Sequence, residues 1–388
     1  MWKIEYVTPI AKTKIVTKYS QIRKIASTSD YSKLTENFLK DMIIEDIGEK
    51  LDMSQYGGRK GVGTEHLIVG FIDRVLKLLD STRERTAVLA ATADWASAFD
   101  RSCPTAVSLK MIGLGIRTSI IPLLISYMSD RKMIVKYKDS LSSPKGLTGG
   151  AGQGTILAGL QYLVASNDCA LDSVTSEDRF RFYDDIEILE FLVLTERLIH
   201  YDFIQHVASD IPVDHLYLPP NSFNMQNHLN DISKWTDDNH MLLNEEKSKY
   251  IIFTRSKQEF STRLSLNNTP LERMKIFKLL GLWLQEDMGW DTNTREMCKK
   301  AYSRVSVLCK LKYAGISIED LIIIYTLFIR SLTEYCSVAF HSALTESQCH
   351  KIEAIQSTCL QVILADNYVS YLFYLMYIYA RLRPKYVH

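Results

Sequence analysis

Residues 181 to 190 read RFYDDIEILE, so that the pair Asp184–Asp185 interrupts a strand-like run of Phe, Tyr, Ile and Leu. On its own an Asp-Asp pair is a common hairpin turn, because aspartate hydrogen-bonds its own backbone. A turn more often carries glycine or asparagine with a single acid, however, and two adjacent carboxylates at a tight strand junction repel unless a cation lies there. A divalent cation such as Mg²⁺ prefers one or two carboxylates together with water and phosphate oxygens, so the pair calls for a partner acid from elsewhere in the chain. Asp94 is the best placed. It ends the apolar run TAVLAATAD, and Phe99 and Asp100 follow it closely. Carboxylates bridging two such ions serve in-line phosphoryl displacement, the chemistry of polymerases and nucleases.

Charge along the chain agrees with that reading. The net charge is only +1, but from Arg101 to Lys145 there are eight basic residues against two acids, and from Asp168 to Asn239 there are four against fifteen. From Asn244 to Lys312 the chain is basic again. An acidic middle between basic flanks suits a cation site inside a polyanion-binding cleft, and differently charged solvated faces give the same pattern. With 388 residues, 46% apolar and 23% charged, the chain is an ordinary folded protein of two or three subdomains and not a disordered or collagen-like one. Seven scattered cysteines without a CxxC pair give neither a disulfide framework nor a zinc site and fit a reducing compartment. No apolar run reaches the roughly 18 residues of a membrane span, although YVSYLFYLMYIYARL near the end comes closest.

The hydrophobic periodicity predicts helices over 31–53 and from Glu65 to about Leu79, separated by the glycine-rich QYGGRKGVGT. A strand ending at Asp94 precedes a helix that starts at Pro104. IRTSIIPLLISYMSDRKMIVKY reads as a helix passing into a strand, and GLTGGAGQGTILAG as a glycine loop opening a helix. RFRFYDD and IEILEFL are two short strands meeting at the carboxylates, FNMQNHLNDISKWTDDN is helical, and KYIIFT and KIFKLLGLWL are strands. From about Asn293 to Leu364 the pattern is helical almost throughout. The expected class is α+β, a mixed core followed by a helical C-terminal part.

Three of these segments, in order and at the right spacing, resemble motifs of one family. ADWASAFDR, GGAGQGTILAG and FYDDIEIL are similar to motifs A, B and C of the reverse transcriptases of non-LTR (LINE-type) retrotransposons. IRKIAS and SKLTENFL match the R-x-I-S and K-x-x-E segments of the fingers, and QYGGRKGVGTEHLI matches a Q-x-G segment. WTDDNHMLLNEEKSKYIIF resembles motif D, KLLGLWL the strand after it, and LTEYCSVAFH with KIEAIQSTCLQVIL the thumb-like region. The resemblance covers roughly residues 5 to 370. It implies a right-hand polymerase fold: fingers over 1–87 with their N-terminal part truncated, an antiparallel palm packed on helices over 88–285 with a second finger segment at about 117–150, and a helical thumb-like region with a divergent tail over 286–388.

The same resemblance implies an RNA-directed DNA polymerase that adds dNTPs to a primer 3′-hydroxyl by two-metal phosphoryl transfer, with Mg²⁺ or Mn²⁺ as cofactor. RNA template, DNA primer and dNTPs would be its partners, with no membrane, in an intracellular setting, nuclear or cytoplasmic; the oligomeric state is open. Asp94, Asp184 and Asp185 would bind metal, Asp94 and Asp184 directly. Phe99 would lie under the incoming sugar, as against a core Phe beside a strand, and Gln153 and Gly154 against base and template. Arg23, with Lys33 or Lys24, would clasp the triphosphate, Lys247 would protonate the leaving pyrophosphate, and the basic stretches 131–145 and 299–312 would track phosphates.

The sequence departs from the family's pattern at several places. Gly152 replaces the proline before the motif B Gln-Gly, and bulky Tyr183 stands where Ala or Val is usual. Phe340 and Gln361 replace a Trp and an Arg of the thumb. No endonuclease domain precedes the polymerase motifs, and FYLMYIYARLRPKYVH replaces the expected continuation. A catalytically inactive remnant that only binds nucleic acid is therefore the alternative. A two-metal nuclease or phosphatase is a third reading, disfavoured because it needs neither the GQGT helix nor the AFD segment.

Overall fold

The computed structural model describes residues 3–81, 86–96, 98–147, 149–169, 174–193, 215–218, 223–256 and 259–364. The C-terminal apolar stretch 368–382 lies outside them. The chain divides into two compact units, Met1–Met274 and Lys275–His388.

In the first unit, two sheets carry the functional segments. One has β1 (Ile4–Ala11) between β2 (Ile22–Thr28), antiparallel to it, and β4 (Lys132–Tyr137), parallel to it, with β5 (Ser140–Leu141) and β6 (Lys145–Gly146) paired to β4. The N-terminal strands were not among the sequence expectations, since their apolar residues alternate only over short stretches.

The second sheet has the order β14 (Glu272–Met274), β10 (Lys249–Thr254), β3 (Thr86–Asp94), β8 (Asp185–Val193), β7 (Arg179–Phe182). Its central strand, TAVLAATAD, is buried at nearly every position because helices cover both faces, which is why its sequence runs apolar without alternating. On one face α7 (Met225–Asp238) contributes Leu229 and Ile232 to a core with Leu89, Ala91, Ile186, Ile188 and Ile252. On the other, Phe71 of α2 (Thr64–Asp80) stands edge-on to Phe180 and Phe253, with ring centres 5.4 and 6.0 Å away.

A second cluster joins α1 (Asp30–Ile47), α4 (Pro104–Leu114), α5 (Ile121–Met128) and α6 (Ile156–Ala165) through Ile43, Met111, Leu124 and Leu160. The short α3 (Ala98–Arg101) lies between β3 and α4. Two-stranded pairs, β9 (His215–Tyr217) with β11 (Glu259–Ser261) and β12 (Ser265–Leu266) with β13 (Thr269–Pro270), complete the described part of this unit. The α+β class holds, as does the sheet packed on helices, which is antiparallel except at its edge, where β14 runs parallel to β10.

The second unit opens with a hairpin, β15 (Ile276–Leu279) and β16 (Leu282–Gln285). KIFKLLGLWL is thus two strands and not one, because Leu280 and Gly281 both take positive φ, 43° and 104°, and reverse the chain. The hairpin, assigned to the palm by the sequence reading, lies in this unit. Helices α8 (Asp291–Tyr313), α9 (Ile318–Ile324) and α10 (Glu346–Leu364) share a core of Leu308, Leu321, Tyr325, Ile355 and Ile363. Contrary to the sequence expectation, one described stretch, Ile318–Ala343, is long and apolar enough to cross a membrane by length and composition. The stretch is bent at Cys336, whose φ is 54°, and Leu321, Tyr325 and Ile329 are buried in the helical core.

Candidate active site

Strand pairing brings the carboxylates together. Asp94, last residue of β3, is paired in antiparallel register with Asp185, first residue of β8. Phe182 pairs with Asp185 across the β7–β8 hairpin, leaving Tyr183 and Asp184 as its two-residue loop. Tyr183 has φ 54°, a conformation usually left to glycine in such turns and costing an L-residue about 1–2 kcal/mol. The pair is therefore both things the sequence suggested: Asp184 belongs to a hairpin turn, and with Asp185 and Asp94 it forms an acidic cluster.

Burial raises the pKa of Asp184, and the neighbouring Asp94 charge adds to it, against the opposing pull of Lys247 and Arg23. Asp185 is pushed up to about 6, by burial first and then by Asp184 and Asp94. Asp94 is pinned from the motif D segment: its amide donates to the Ser248 hydroxyl (3.1 Å), and its carbonyl accepts from the Asn244 amide (2.8 Å). The Lys247 ammonium lies 3.2 Å from Asp94 Oδ2, an ion pair without hydrogen-bond geometry, and that buried oxygen has no hydrogen-bond donor.

Among the described residues no group of three or more His, Cys, Asp or Glu side chains is placed to hold a metal ion. Strand register sets Asp94 opposite Asp185 with Asp184 in the adjoining turn, and the three charges act on one another. In kind the donors do fit a hard divalent cation: they are all carboxylate oxygens, one is buried and unsatisfied, and their mutual repulsion is what a cation relieves.

The glycine loop before α6 is laid against β2. The Ala26 amide donates to the Gln153 carbonyl (2.6 Å), and Gly154 has φ 110°, where an added Cβ would lie 2.6 Å from the Ala26 carbonyl oxygen. This joins Gln153 and Gly154 to the strand that presents Arg23 and Lys24 to solvent. Lys24 pairs with Asp100 at 2.8 Å. Phe99 lies between the two halves of the site, its ring 5.1 Å from Tyr162 of α6 and 6.4 Å from Tyr183, and its carbonyl accepts from the Ala151 amide at 2.7 Å. Lys33 differs from the rest: its ammonium pairs with Asp30 (3.2 Å) on the exposed first turn of α1, and the cations acting on Asp184 are Lys247 and Arg23. Arg131, expected on the phosphate track, is instead packed inside, 3.2 Å from Glu5 and stacked 4.5 Å over the Tyr127 ring. Lys132, Lys136, Lys138 and Lys145 beside it are exposed.

Two proteins of Drosophila melanogaster are similar to the chain. The probable RNA-directed DNA polymerase from transposon BS is 22% identical over 316 residues, 79% of this chain and 32% of that protein. The probable RNA-directed DNA polymerase from transposon X-element is 23% identical over 377 residues, 93% of this chain and 38% of that protein. Both similarities agree with the resemblance of the sequence motifs to the reverse transcriptases of non-LTR retrotransposons. The chain spans about a third of the length of these curated relatives. No family model matches it. Two solved structures of telomerase from Candida tropicalis are similar at 13% identity: a complex with the TWJ fragment of telomeric RNA (TM-score 0.42, 100% of this chain and 63% of that one) and the apo protein (0.46, 93% and 63%).

Sequence reasoning about reverse transcriptase motifs missed Glu36, the acid of the K-x-x-E segment. Fully buried, it accepts from the Thr28 and Ser32 hydroxyls (3.1 and 2.9 Å) and from the Ile156 amide (2.6 Å), so it caps the helix that the GQGT loop opens. Nothing in the sequence signalled it, because the N-cap Thr155 is a favoured capping residue whose side chain makes no cap hydrogen bond in the structure. Glu36→Ala strands these buried donors and is expected to lower the unfolding free energy by about 3 kcal/mol, measured by urea denaturation; a loss well under 1 kcal/mol would mean that the cap contributes little.

Proposed function

We propose that the chain is an RNA-directed DNA polymerase, extending a primer 3′-hydroxyl with dNTPs on an RNA template. The observation that carries this is the register Asp94–Asp185 beside the Asp184 turn, together with the charge of Arg23, on the strand to which the glycine loop is tied, acting on Asp184. In this reading Asp94 and Asp184 hold Mg²⁺ or Mn²⁺, supported by Asp185, and the metal supplies charge stabilisation for the attacking and leaving oxygens. The chain's own residues position the substrates. Arg23 holds the triphosphate, Phe99 lies under the sugar and excludes a 2′-hydroxyl, and the backbone of Gln153 and Gly154 lies against base and template. Lys247 gives its proton to the departing pyrophosphate. The exposed lysines of β4 and β6, and Lys299 and Lys300 of α8, follow backbone phosphates through a sequence-independent attraction that salt weakens. An intracellular location follows from this function.

A second reading, a nucleic-acid-binding remnant without catalysis, draws support from the Lys247 ammonium, which lies beside Asp94 where a metal would otherwise sit. Template-dependent incorporation of deoxynucleotides by the purified chain separates the two. Salt-sensitive binding of an RNA–DNA duplex without incorporation would leave only the remnant.

A further inference from the structure

The segment QYGG, which follows α1 in the chain, has no part in the chemistry above, yet its contacts converge on the carboxylate turn. Ser54 and Tyr56 run along the edge strand β7: the Arg181 amide donates to the Ser54 carbonyl (2.9 Å) and the Tyr56 amide to the Arg181 carbonyl (2.8 Å). This sets Gln55, 3% exposed, beneath the hairpin. Its side-chain Oε1 accepts from the Tyr183 amide at 3.0 Å and from the Gly57 amide at 3.1 Å.

The Tyr183 side chain is walled in by the same segment. A Cβ on Gly57 would lie 2.8 Å from the Tyr183 nitrogen, and one on Gly58 would lie 3.0 Å from its hydroxyl. From α6, a Cβ on Gly159 would lie 3.3 Å from the ring, and Phe99 flanks it. A positive-φ tyrosine inside a hairpin persists only where its surroundings over-determine it. Gln55 and the two glycines provide that constraint, on the residue immediately before Asp184.

We propose that Gln55 is a positioning residue for the carboxylate turn: its side-chain carbonyl fixes the Tyr183 amide and so holds Asp184 and Asp185 in the orientation that nucleotide addition requires. The role in chemistry rests on the polymerase reading; the clamp itself does not. Gln55→Met keeps length and volume but removes the acceptor, whereas Gln55→Glu retains it. Gln55→Asn, which withdraws the carbonyl by one methylene, is the milder alternative should the methionine variant fold poorly, as judged by circular dichroism and melting.

Two readouts are taken on the full chain: amide hydrogen exchange resolved over residues 179–188, and steady-state incorporation on poly(rA)/oligo(dT). In Gln55→Met the Tyr183 amide exchanges at least about tenfold faster while the β8 amides are unchanged. Its kcat falls about a hundredfold with the dNTP KM within about threefold, as misplacement of reacting groups predicts. Gln55→Glu, which keeps the acceptor but adds a carboxyl group beside the acids, stays close to the parent in exchange at Tyr183. Unchanged exchange at Tyr183 overturns the clamp. Faster exchange with undiminished kcat overturns the positioning role. A parent protein that incorporates nothing removes the polymerase reading, and with it the catalytic role, while exchange still decides whether the clamp exists.

Discussion

Asp52→Ala is expected to destabilise the protein by about 3–5 kcal/mol, the cost of removing one partner from a buried ion network. Asp52 accepts from the Ser54 amide and hydroxyl (3.1 and 2.6 Å) and from the guanidiniums of Arg179 (3.0 Å) and Arg181 (3.2 Å). Both arginines are 2% exposed, on the strand that runs into the carboxylate turn. Without Asp52 both guanidiniums lose this carboxylate, while the Ser166 carbonyl (2.7 Å) still accepts from Arg181 and the Val174 carbonyl (2.9 Å) from Arg179. Burial pushes the Asp52 pKa up, but the hydrogen bonds from Ser54 and Arg179 and the charges of Arg179 and Arg181 together leave it below the ordinary carboxylate value of 3.8.

A depressed carboxylate stabilises the fold above its unfolded pKa and loses that contribution as pH falls through the lower folded value. The stability gap between the parent and Asp52→Ala is therefore constant from about pH 5 to 8 and closes below about pH 4. Urea denaturation across that range measures it. A gap that widens on acidification would contradict the sign of the shift.

Asp185→Asn is expected to act in opposite directions on activity and on stability. In the polymerase reading Asp185 would help to hold the metal that stabilises transition-state charge, so its loss would cost several kcal/mol of barrier and incorporation would fall about a thousandfold. The same change relieves repulsion among three part-buried acids and leaves the strand register intact, so the folded state gains about 1 kcal/mol at neutral pH. Melting and incorporation assays on one preparation test both. A variant that loses activity and melts lower would point to a structural role for Asp185. A variant that keeps its activity would remove it from the site.

Much of this site was legible in the sequence because its parts are short and local. The acids of FYDD and of TAVLAATAD are brought together by strand register, which follows from where each apolar run begins and ends. The GQGT loop was legible from its glycines. What escaped depends on contacts far apart in the chain. Glu36 reaches Ile156 across 120 residues and Gln55 reaches Tyr183 across 128, and neither pairing leaves a periodic trace.

Arg131 was misread for the same reason, since charge type alone does not tell a phosphate ligand from the buried partner of Glu5. The departure at Gly152 has a local cause. An added Cβ there would lie 2.6 Å from the Glu5 carboxylate and 3.1 Å from the Ala26 Cβ, so the proline usual in the family has no room. Tyr183, the other departure in the site, is accommodated by Gly57, Gly58 and Gly159. For the changes at Phe340 and Gln361 the structure offers no consequence at the site.

In the polymerase reading the paired aspartates serve template-directed nucleotide addition. Its most direct test is extension of oligo(dT) on poly(rA) by the purified, folded chain with Mg²⁺, beside the double variant Asp184→Ala, Asp185→Ala. Incorporation of dTTP by the parent that vanishes in the variant is the predicted result. No incorporation by a parent shown to be folded, or equal incorporation by both proteins, would contradict it.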